Sequence, residues 1–249
     1  MGPQGKLSVM RMGNNLFEQY SRFYNCLYMD KDYKKEAEYI HQIIHSEDSY
    51  AKSVLEFGSG TGRHGLILRD KRYDIYGLEK SLSMVKQAQE AGFPCEQADI
   101  TDFKLDRTFD VVLALFHVIS YLNENKEITR AFKNAAGHLK PGGLFIFDVW
   151  YLPAVLYQRP ENRIKKVSDQ EFEIIRFATP ELHFDRNVVE VDYHFLVKHK
   201  RDNQWEEFEE KHSMRYFSIP EIELFAETTG FEVKGAEEFL TSQNPSPDT

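Results

Sequence analysis

A glycine-dense turn between a short apolar run and a helical pattern constrains this chain more than any other feature. Residues 54–57 predict a strand, and Gly58, Gly60 and Gly62 follow it at every second position. Glycine adopts positive φ without steric cost and lets ligand atoms lie against the backbone, where the N–H groups of a helix start point into the pocket. The stretch therefore predicts a strand–turn–helix corner that binds a nucleotide-like ligand.

Glu56, just before the turn, bears on the chemistry of that ligand. A carboxylate repels phosphate groups and attracts a cationic ammonium group, and S-adenosylmethionine carries such a group. Gly60, Gly62 and Gly65 also fit the dinucleotide fingerprint, which is a weak signal when it stands alone. The glycines by themselves therefore leave both cofactor classes open.

Two acids further along the chain extend the pattern. Residues 73–78 predict a second strand that ends at Glu79, and 79 − 58 places this acid 21 residues after Gly58. A carboxylate at that distance accepts hydrogen bonds from ribose hydroxyls in either cofactor class. Asp99 follows at a place where an adenine amino group would need an acceptor. Asp99 favours S-adenosylmethionine, and a NAD-dependent oxidoreductase is the alternative.

Together, Glu56, the three alternating glycines, Glu79 and the pair Asp99–Ile100 resemble the cofactor-binding motifs of class I S-adenosylmethionine-dependent methyltransferases, over about residues 20–150. The resemblance implies an α/β, Rossmann-like fold with a doubly wound, mostly parallel sheet. For Met84, core packing is the alternative to a contact with adenine. The residues expected to contact the cofactor are Tyr20, Tyr33, Glu56, Gly58, Gly60, Gly62, Glu79, Lys80, Met84, Asp99, Ile100 and Phe116.

The chain divides into four predicted segments. Residues 1–40 form an N-terminal aromatic lid, residues 41–150 the cofactor-binding core, residues 151–217 a small antiparallel β insert, and residues 218–249 a C-terminal helix and strand of the core. The lid is rich in tyrosine, and its aromatic residues recur at helical spacing. An amphipathic helix that buries an aromatic face is therefore the alternative to a lid.

The predicted core contains a near-continuous apolar strand at residues 109–116, as expected for a strand buried on both faces of a parallel sheet. The segment after it contains His117 and Tyr121 and leads to a helix that Asn123 is expected to cap. Asp148 lies near the end of a further strand, at residues 144–149. Since open α/β sheets bind ligands outside the carboxyl ends of their strands, these side chains are expected near the pocket mouth.

The βα alternation stops after the core. Residues 189–197 alternate between apolar and polar side chains, and weaker alternation covers residues 208–216 and 172–177, so three antiparallel strands are predicted. They would lie over the pocket or at a dimer contact, and the second location is consistent with a homodimer. Residues 231–234 predict a sixth core strand, whereas residues 242–249 cannot form the antiparallel seventh strand that the class implies.

Composition limits which classes of partner and which cellular compartment are expected. The 249 residues, 41% of them hydrophobic, suffice for one elaborated domain, and a net charge of −9 argues against a basic nucleic-acid-binding face. A small-molecule acceptor is expected instead. Two cysteines cannot form a disulfide framework and no secretory start is visible, which predicts a cytoplasmic protein. All apolar runs are far shorter than the roughly 20 residues that span a membrane.

The layout also resembles the N,N-dimethyltransferases that act on nucleotide-linked deoxyamino sugars. The resemblance lies in the tyrosine-rich start, residues 57–64, residues 116–122 and residues 148–153, together with the inserted strands. Some of those enzymes place a histidine just before the leucine of the stretch that corresponds to residues 116–122. This chain has Tyr121 at that position, and the histidine of its stretch comes earlier, at position 117. The resemblance implies methyl transfer to a small molecule, with amine and hydroxyl acceptors both open.

A hydroxyl acceptor benefits from a general base, whereas an amine needs only to arrive unprotonated. His117 is the expected base, with Tyr121 and Tyr24 as orienting hydroxyls. A histidine that merely completes its hydrogen bonds at a strand end is the alternative for His117. No metal is expected, because no histidine spacing argues for one, and His138, His183, His194, His199 and His212 are expected in solvated positions.

Overall fold

The structure is a computed structural model that describes residues 19–248. The part of the predicted lid that precedes residue 19 lies outside this range. Within it, a 3-10 turn at Tyr20–Phe23 leads directly into a short helix, α1 (Tyr24–Leu27), and a longer helix follows, α2 (Tyr33–Glu47). In this range no helix combines the length and the apolar character needed to cross a membrane.

The core is a five-stranded parallel sheet. Its strands are β1 (Ser53–Phe57), β2 (Asp74–Glu79), β3 (Cys95–Gln97), β4 (Phe109–Ala114) and β5 (Leu139–Phe147), arranged in the order β3-β2-β1-β4-β5. Every neighbouring pair is parallel. The predicted Rossmann-like α/β sheet is confirmed.

Helices cover both faces of this sheet. The core helices are α3 (Arg63–Asp70), α4 (Leu82–Glu90) and α5 (Asn125–His138), and two more follow, α6 (Leu152–Gln158) and α7 (Ile219–Thr229). Successive strand residues serve opposite faces: Val54 packs in the cluster with α2, α3 and α4, and Leu55 packs in the cluster with α5 and α7. Burial on both faces explains why β1 and β4 are almost entirely apolar.

The predicted cap of α5 is wrong. Glu124 is the N-cap, and its backbone N–H donates to Glu127 Oε2 at 3.1 Å in a capping box. Asn123 instead donates its amide to the carbonyl oxygens of Tyr121 and Ser213. Asn123 thereby joins the segment after β4 to the inserted sheet.

The insert is a second sheet with five strands, namely β6 (Trp150–Tyr151), β7 (Arg163–Ser168), β8 (Phe172–His183), β9 (Val188–His199) and β10 (Trp205–Phe217). Their order is β6-β10-β9-β8-β7, with β6 parallel to β10 and the others antiparallel. The three predicted antiparallel strands are confirmed, and β7 is an addition. Its run of Lys and Arg hides the strand pattern, and such charges are common on edge strands.

The predicted sixth core strand at residues 231–234 is wrong. Phe231 donates its backbone N–H to Ala226 O at 2.9 Å, as part of the C-terminal cap of α7 at Gly230. That hydrogen bond uses the backbone donor with which a strand would begin at this residue. The Phe231 side chain still packs against the core, 5.6 Å from the ring of Phe145. Val233, the other apolar residue of the pattern, is 38% exposed, so the pattern did not mark a strand of the core.

The N-terminal segment joins the two sheets. The Phe23 ring lies 5.1 Å from Phe172 and 5.7 Å from Phe208, both on the insert. On its other side, Ser21 Oγ donates to Ser83 Oγ of α4 at 2.8 Å. The inserted sheet therefore lies on the pocket side of the core, which is one of its two expected locations. The homodimer remains a prediction.

Candidate active site

The glycine turn connects β1 to α3, and packing as well as backbone conformation requires its glycines. Gly58, Gly60 and Gly62 have φ values of +59°, +56° and +78°. A Cβ on Gly58 would lie 2.5 Å from Val118 Cγ2, and a Cβ on Gly62 would lie 2.6 Å from the Phe93 ring. The turn therefore has room for backbone alone at two of its three glycines.

Glu79 lies at the carboxyl end of β2, beside this turn. Its Oε2 accepts a hydrogen bond from the backbone N–H of Gly60 at 3.0 Å, and its Oε1 accepts one from Ser81 N–H at 2.8 Å. Burial raises the pKa of Glu79, although these two backbone donors oppose the shift. Each carboxylate oxygen keeps a second lone pair. The oriented carboxylate can therefore accept hydrogen bonds from the hydroxyls of a ribose.

Glu56, on β1, is a buried acid beneath the turn, with 2% of its surface exposed. Burial, together with the nearby Glu79, raises its pKa to about 8. Among the described residues its Oε2 has no hydrogen-bond partner, and its Oε1 lies 4.0 Å from His64 Nδ1. A buried carboxyl group with an unpaired oxygen fits a ligand that brings a cation, such as the ammonium group of S-adenosylmethionine.

His64, in the first turn of α3, belongs to a buried polar cluster next to Glu56. Its Nε2 lies 2.6 Å from Glu36 Oε2, and Lys31 Nζ contacts the same carboxylate at 2.5 Å. Hydrogen bonds from His64 and Lys31 hold the pKa of Glu36 low against the effect of burial. Glu36 therefore holds His64 in a fixed orientation beside the turn, which the sequence did not predict.

Asp99 follows β3 at the same edge. Its Oδ1 accepts hydrogen bonds from the backbone and the hydroxyl of Thr101, and its Oδ2 lies 2.8 Å from Lys80 Nζ. Burial alone would raise the pKa of Asp99, but the hydrogen bonds from Lys80 and Thr101 outweigh it and lower the pKa. Asp99 is therefore an ionised acceptor at the position expected for adenine recognition.

Two expected cofactor contacts are buried side chains. Ile100 is 8% exposed and packs in the cluster that contains Leu78. Met84 is 3% exposed and packs with Tyr20 and Phe23 of the N-terminal segment. This burial matches the alternative given for Met84. Its sulfur nevertheless lies 4.0 Å from where a Cβ on Gly60 would be, so Met84 also borders the turn.

The tyrosine-rich segment lies against the turn and against the segment after β4. Asn25 Oδ1 accepts a hydrogen bond from Thr61 Oγ1 of the turn at 3.0 Å. The Tyr28 ring lies 5.0 Å from Phe116, and its hydroxyl lies 2.6 Å from that of Tyr20. This placement is the one expected of a lid, which remains a prediction.

The other two tyrosines expected at the site belong to the same region. The Tyr24 ring lies 4.8 Å from that of Tyr28. Tyr33 begins α2, and the Arg63 guanidinium of α3 lies 4.5 Å from the centre of its ring. The structure therefore brings both tyrosines to the same side of the glycine turn.

The segment after β4 holds the expected base in a fixed position. Phe116 and His117 both have left-handed backbones, with φ of 65° and 63°, which is unusual for residues with a side chain. His117 donates its backbone N–H to the Asp148 carboxylate, and its Nδ1 lies 2.7 Å from Asp148 Oδ2. Burial would raise the pKa of Asp148, but the contacts with His117 lower it. Asp148 thereby fixes the backbone of His117 and places a carboxylate beside its ring.

Two histidines expected in solvated positions are buried, so those expectations are wrong. His138 is 7% exposed and its Nε2 accepts a hydrogen bond from Leu105 N–H at 3.0 Å. His212 is 2% exposed and its Nδ1 lies 2.9 Å from the Tyr121 hydroxyl. The signal for His212 was present in the sequence, because it shares the inward-facing alternation of Phe208 and Met214 on β10.

A cleft opens between the core and the insert, and its walls hold several of these groups. His117 and Asp148 line it from the core side, and Arg176 and Tyr193 line it from the insert. The Arg176 guanidinium lies 4.8 Å from the centre of the Tyr193 ring, and its Nε has no partner among the described residues. Neither insert residue was expected at the site, because the sequence does not show how the insert is oriented.

One group of potential metal ligands lies elsewhere on the insert. The side chains of Glu181, His183 and Glu190 bring ligand atoms within 4.8 Å of one another. Lys211 Nζ already lies 2.6 Å from Glu190 Oε1 and neutralises this acid. We therefore assign no metal to this group.

Comparison with known proteins agrees with this geometry. The family described as methyltransferase domain matches residues 28–234. A dTDP-3-amino-3,4,6-trideoxy-alpha-D-glucopyranose N,N-dimethyltransferase from Streptomyces venezuelae is 34% identical over 136 residues, which is 54% of this chain and 56% of that protein. The chain spans about half the length of the curated relatives it matches.

Solved structures share nearly the whole fold. A sugar N-methyltransferase from Streptoalloteichus has a TM-score of 0.79 at 26% identity, with 92% of this chain and 91% of that chain covered. An amino pentose methyltransferase from Micromonospora echinaspora, solved with S-adenosylmethionine bound, has a TM-score of 0.73 at 23% identity, with 94% and 97% covered.

The fold and the glycine site define a class I methyltransferase architecture. The chain belongs to the methyltransferase domain family. Family membership decides between the two cofactor classes that the glycines left open, in favour of S-adenosylmethionine and against NAD.

Proposed function

We propose that this protein is an S-adenosylmethionine-dependent methyltransferase that methylates the amino group of a nucleotide-linked amino sugar. The observation that carries the proposal is the buried Glu56, whose unpaired Oε2 lies beneath a glycine turn shaped for a ligand. The names of the relatives support the acceptor class, since several are N,N-dimethyltransferases of dTDP-linked amino sugars. A hydroxyl acceptor is the outcome that the experiment below must exclude.

The residues of the core have separate roles in this proposal. Glu56 faces the ammonium group of the cofactor, Glu79 accepts hydrogen bonds from the ribose hydroxyls, and Asp99 accepts one from the adenine amino group. The glycine turn lets these groups approach the backbone closely. Bound there, S-adenosylmethionine supplies an electrophilic methyl group on a positively charged sulfur.

The acceptor side of the reaction depends on positioning. A lone pair on the acceptor nitrogen attacks the methyl carbon in line with the bond to sulfur, and holding the two groups in this alignment supplies much of the rate. We propose that His117, fixed by Asp148, contacts the acceptor from the core side. Tyr121 and Tyr24 are the proposed orienting hydroxyls, on the segment after β4 and on the N-terminal segment.

The cleft supports a nucleotide-linked acceptor over a neutral one. Arg176 places a cation on its wall, and the Nε of this residue has no hydrogen-bond partner among the described residues. A guanidinium is suited to phosphate groups because its donors are arranged in a planar fork. We propose that Arg176 contacts the diphosphate of the acceptor.

The test is methyl transfer to dTDP-3-amino-3,4,6-trideoxy-α-D-glucopyranose, with mono- and dimethylated products separated by mass spectrometry. The matched control is the same sugar nucleotide with a hydroxyl in place of the amine. We expect methylation of the amine only. Methylation of the hydroxyl compound, or of neither compound, would reject the proposed acceptor class.

A further inference from the structure

A hydrogen-bonded chain of three side chains links the core to the inserted sheet. Tyr121 belongs to the 3-10 turn at Val118–Tyr121, directly after β4, and its hydroxyl lies 2.9 Å from His212 Nδ1 on β10. The opposite nitrogen of this ring, Nε2, lies 3.2 Å from Glu210 Oε2. An imidazole is therefore held between a phenol near the proposed acceptor and a carboxylate behind it.

The partners determine where the protons of this chain lie. Glu210 Oε1 accepts a hydrogen bond from the backbone N–H of Tyr20 at 2.9 Å, and an ionised carboxylate can only accept. His212 must therefore donate to Glu210 from Nε2, which leaves Nδ1 as a hydrogen-bond acceptor. The hydrogen of the Tyr121 hydroxyl then points to His212.

Tyr121 also lies close to the proposed cofactor site. Burial raises the pKa of its hydroxyl well above the ordinary value, and the neighbouring charges that add to this effect include Glu79, the proposed ribose ligand. A phenol that holds its proton at neutral pH cannot act as a base unless a second group takes its proton. His212 is placed to be that group.

We propose that His212 is a positioning residue that accepts, through Tyr121, the proton released by the acceptor amine. This inference rests on the proposed function. The acceptor nitrogen forms its bond to the methyl carbon, the sulfur–carbon bond breaks, and its electron pair stays on sulfur. The resulting ammonium gives one proton to the Tyr121 oxygen, while the Tyr121 proton passes to His212 Nδ1. The imidazolium that forms is paired with the Glu210 carboxylate, so charge and protons balance.

This route is separate from His117, which lies on the core side of the cleft and is paired with Asp148. It uses the phenol of Tyr121 on the segment after β4, and it brings the imidazole from the insert. The insert therefore contributes to the chemistry and not only to the pocket wall. Tyr121 contacts the acceptor directly, whereas His212 acts through Tyr121.

The first test observes the histidine itself and needs no acceptor. Long-range ¹H–¹⁵N NMR of the imidazole rings, with the His212 signals assigned by their loss in His212→Asn, reports which nitrogen carries the proton. We expect the neutral tautomer protonated at Nε2 at pH 8. A ring protonated at Nδ1 would overturn the proposal, because it could not accept the Tyr121 proton.

The second test is kinetic. We expect His212→Asn and Tyr121→Phe each to lower kcat for dTDP-3-amino-3,4,6-trideoxy-α-D-glucopyranose by roughly 10- to 100-fold. This loss lies at or below the lower end of the rate enhancement that a general acid or base usually supplies. The acceptor KM and the affinity for S-adenosylhomocysteine should stay within about twofold of the parent. His194→Asn is the matched control, because the half-buried His194 also pairs with a glutamate on this sheet, 2.7 Å from Glu207 Oε1.

The double variant separates a shared route from two structural effects. If both residues serve one proton route, Tyr121→Phe with His212→Asn should lose no more than the worse single variant. Multiplied losses would contradict the proposal. If His212→Asn does not fold, Tyr121→Phe carries the test. A full kcat in Tyr121→Phe would reject the proposal. A lower kcat in Tyr121→Phe, together with the Nε2 tautomer of His212 in the parent, would support it.

The pH profile gives a readout that a structural role would not change. Among the described residues, the titratable groups facing the Tyr121–His212 pair include Glu210 on β10, Tyr193 on β9, Glu79 at the end of β2, and Tyr20, Tyr24 and Tyr28 of the N-terminal segment. Because the route needs His212 Nδ1 to accept a proton, kcat of the parent should depend on pH. His212→Asn should lose that dependence, and an unchanged profile would contradict the proposal.

The two proposals fail in different ways. If the parent methylates no amine, the acceptor class is wrong, and the tautomer of His212 still decides whether the proton route exists. If the parent methylates the amine and the two variants keep full kcat, the acceptor class stands and the proton route is rejected.

Discussion

Glu79 and Gly60 are joined by a hydrogen bond of 3.0 Å from the glycine backbone N–H to Oε2 of the carboxylate. The residue proposed to bind the ribose therefore also fixes the shape of the turn that receives the rest of the cofactor. Its other oxygen is held by Ser81 N–H at 2.8 Å, at the start of α4. One carboxylate thus connects β2, the turn and the next helix through hydrogen bonds.

Replacing this carboxylate with an amide should weaken cofactor binding. In Glu79→Gln only one side-chain atom can accept a hydrogen bond, so either Gly60 N–H or Ser81 N–H faces an NH₂ group. We expect at least about tenfold weaker binding of S-adenosylhomocysteine by calorimetry, or about 1.4 kcal/mol. Glu90→Gln, at an exposed position of α4, is the control. Equal affinity in the two variants would show that Glu79 does not contact the cofactor.

Packing, and not backbone conformation, should exclude a side chain at Gly65. A Cβ there would lie 2.1 Å from the Phe93 ring and 2.8 Å from Glu56 Oε2, both buried. We therefore expect Gly65→Ala to lower the free energy of unfolding by about 1–3 kcal/mol, as overpacking usually does. The control is Gly137→Ala on α5, where nothing lies within 4 Å of the new Cβ.

Urea denaturation of the two alanine variants measures both effects. Gly137→Ala should raise the free energy of unfolding by about 0.5–1 kcal/mol, because alanine has the higher helix propensity. If Gly65→Ala is also neutral or stabilising, the contact between Phe93 and this glycine does not limit the side chain here.

Glu56 should make stability depend on pH. Its pKa is about 8 in the folded chain, against an ordinary value of 4.5, so the folded state keeps a proton that the unfolded chain has lost. The free energy of unfolding should therefore fall as pH rises from about 4.5 to about 8, and this contribution should level off above that. Glu56→Gln cannot ionise and should lack this decline.

Chemical denaturation at pH 5 and pH 9 checks this sign. The variant should gain stability relative to the parent at pH 9 and differ little from it at pH 5. A parent whose excess stability over Glu56→Gln grows with pH would contradict the raised pKa. Calorimetry of S-adenosylhomocysteine binding in buffers of different ionisation enthalpy then tests the ligand, since an ammonium group next to Glu56 should release its proton.

The fold was predictable because its signals are local. The apolar runs of β1 and β4 and the alternating glycines each depend on a few neighbouring residues. The sixth strand failed because the apolar Phe231 only packs against the core, while its backbone donor is used to cap α7. A hydrophobic pattern indicates which side chains can pack against a core. It does not show which hydrogen bonds the backbone makes.

The site was only half predictable for a related reason. Residues at the carboxyl ends of parallel strands lie at one edge of the sheet, which is why Glu79, Asp99 and His117 could be proposed for the site from the sequence. His212, Glu210 and Arg176 reach it only because the insert packs over the carboxyl edge. That packing depends on contacts between residues far apart in sequence, such as Phe23 with Phe172 and Phe208.

Asp148 accepts the backbone N–H of His117 and holds that backbone in a left-handed conformation. Asp148→Asn keeps an oxygen that can accept from His117 N–H but removes the charge opposite Nδ1, which lies 2.7 Å away. We expect kcat/KM for the amino-sugar nucleotide to fall about tenfold, since misplacement of an acceptor contact costs rate even where the fold survives. Asp106→Asn, at an exposed loop position, is the control. If Asp148→Asn retains full kcat/KM and His117→Asn does as well, the core-side histidine belongs to the packing of the strand end, and proton transfer depends on the insert alone.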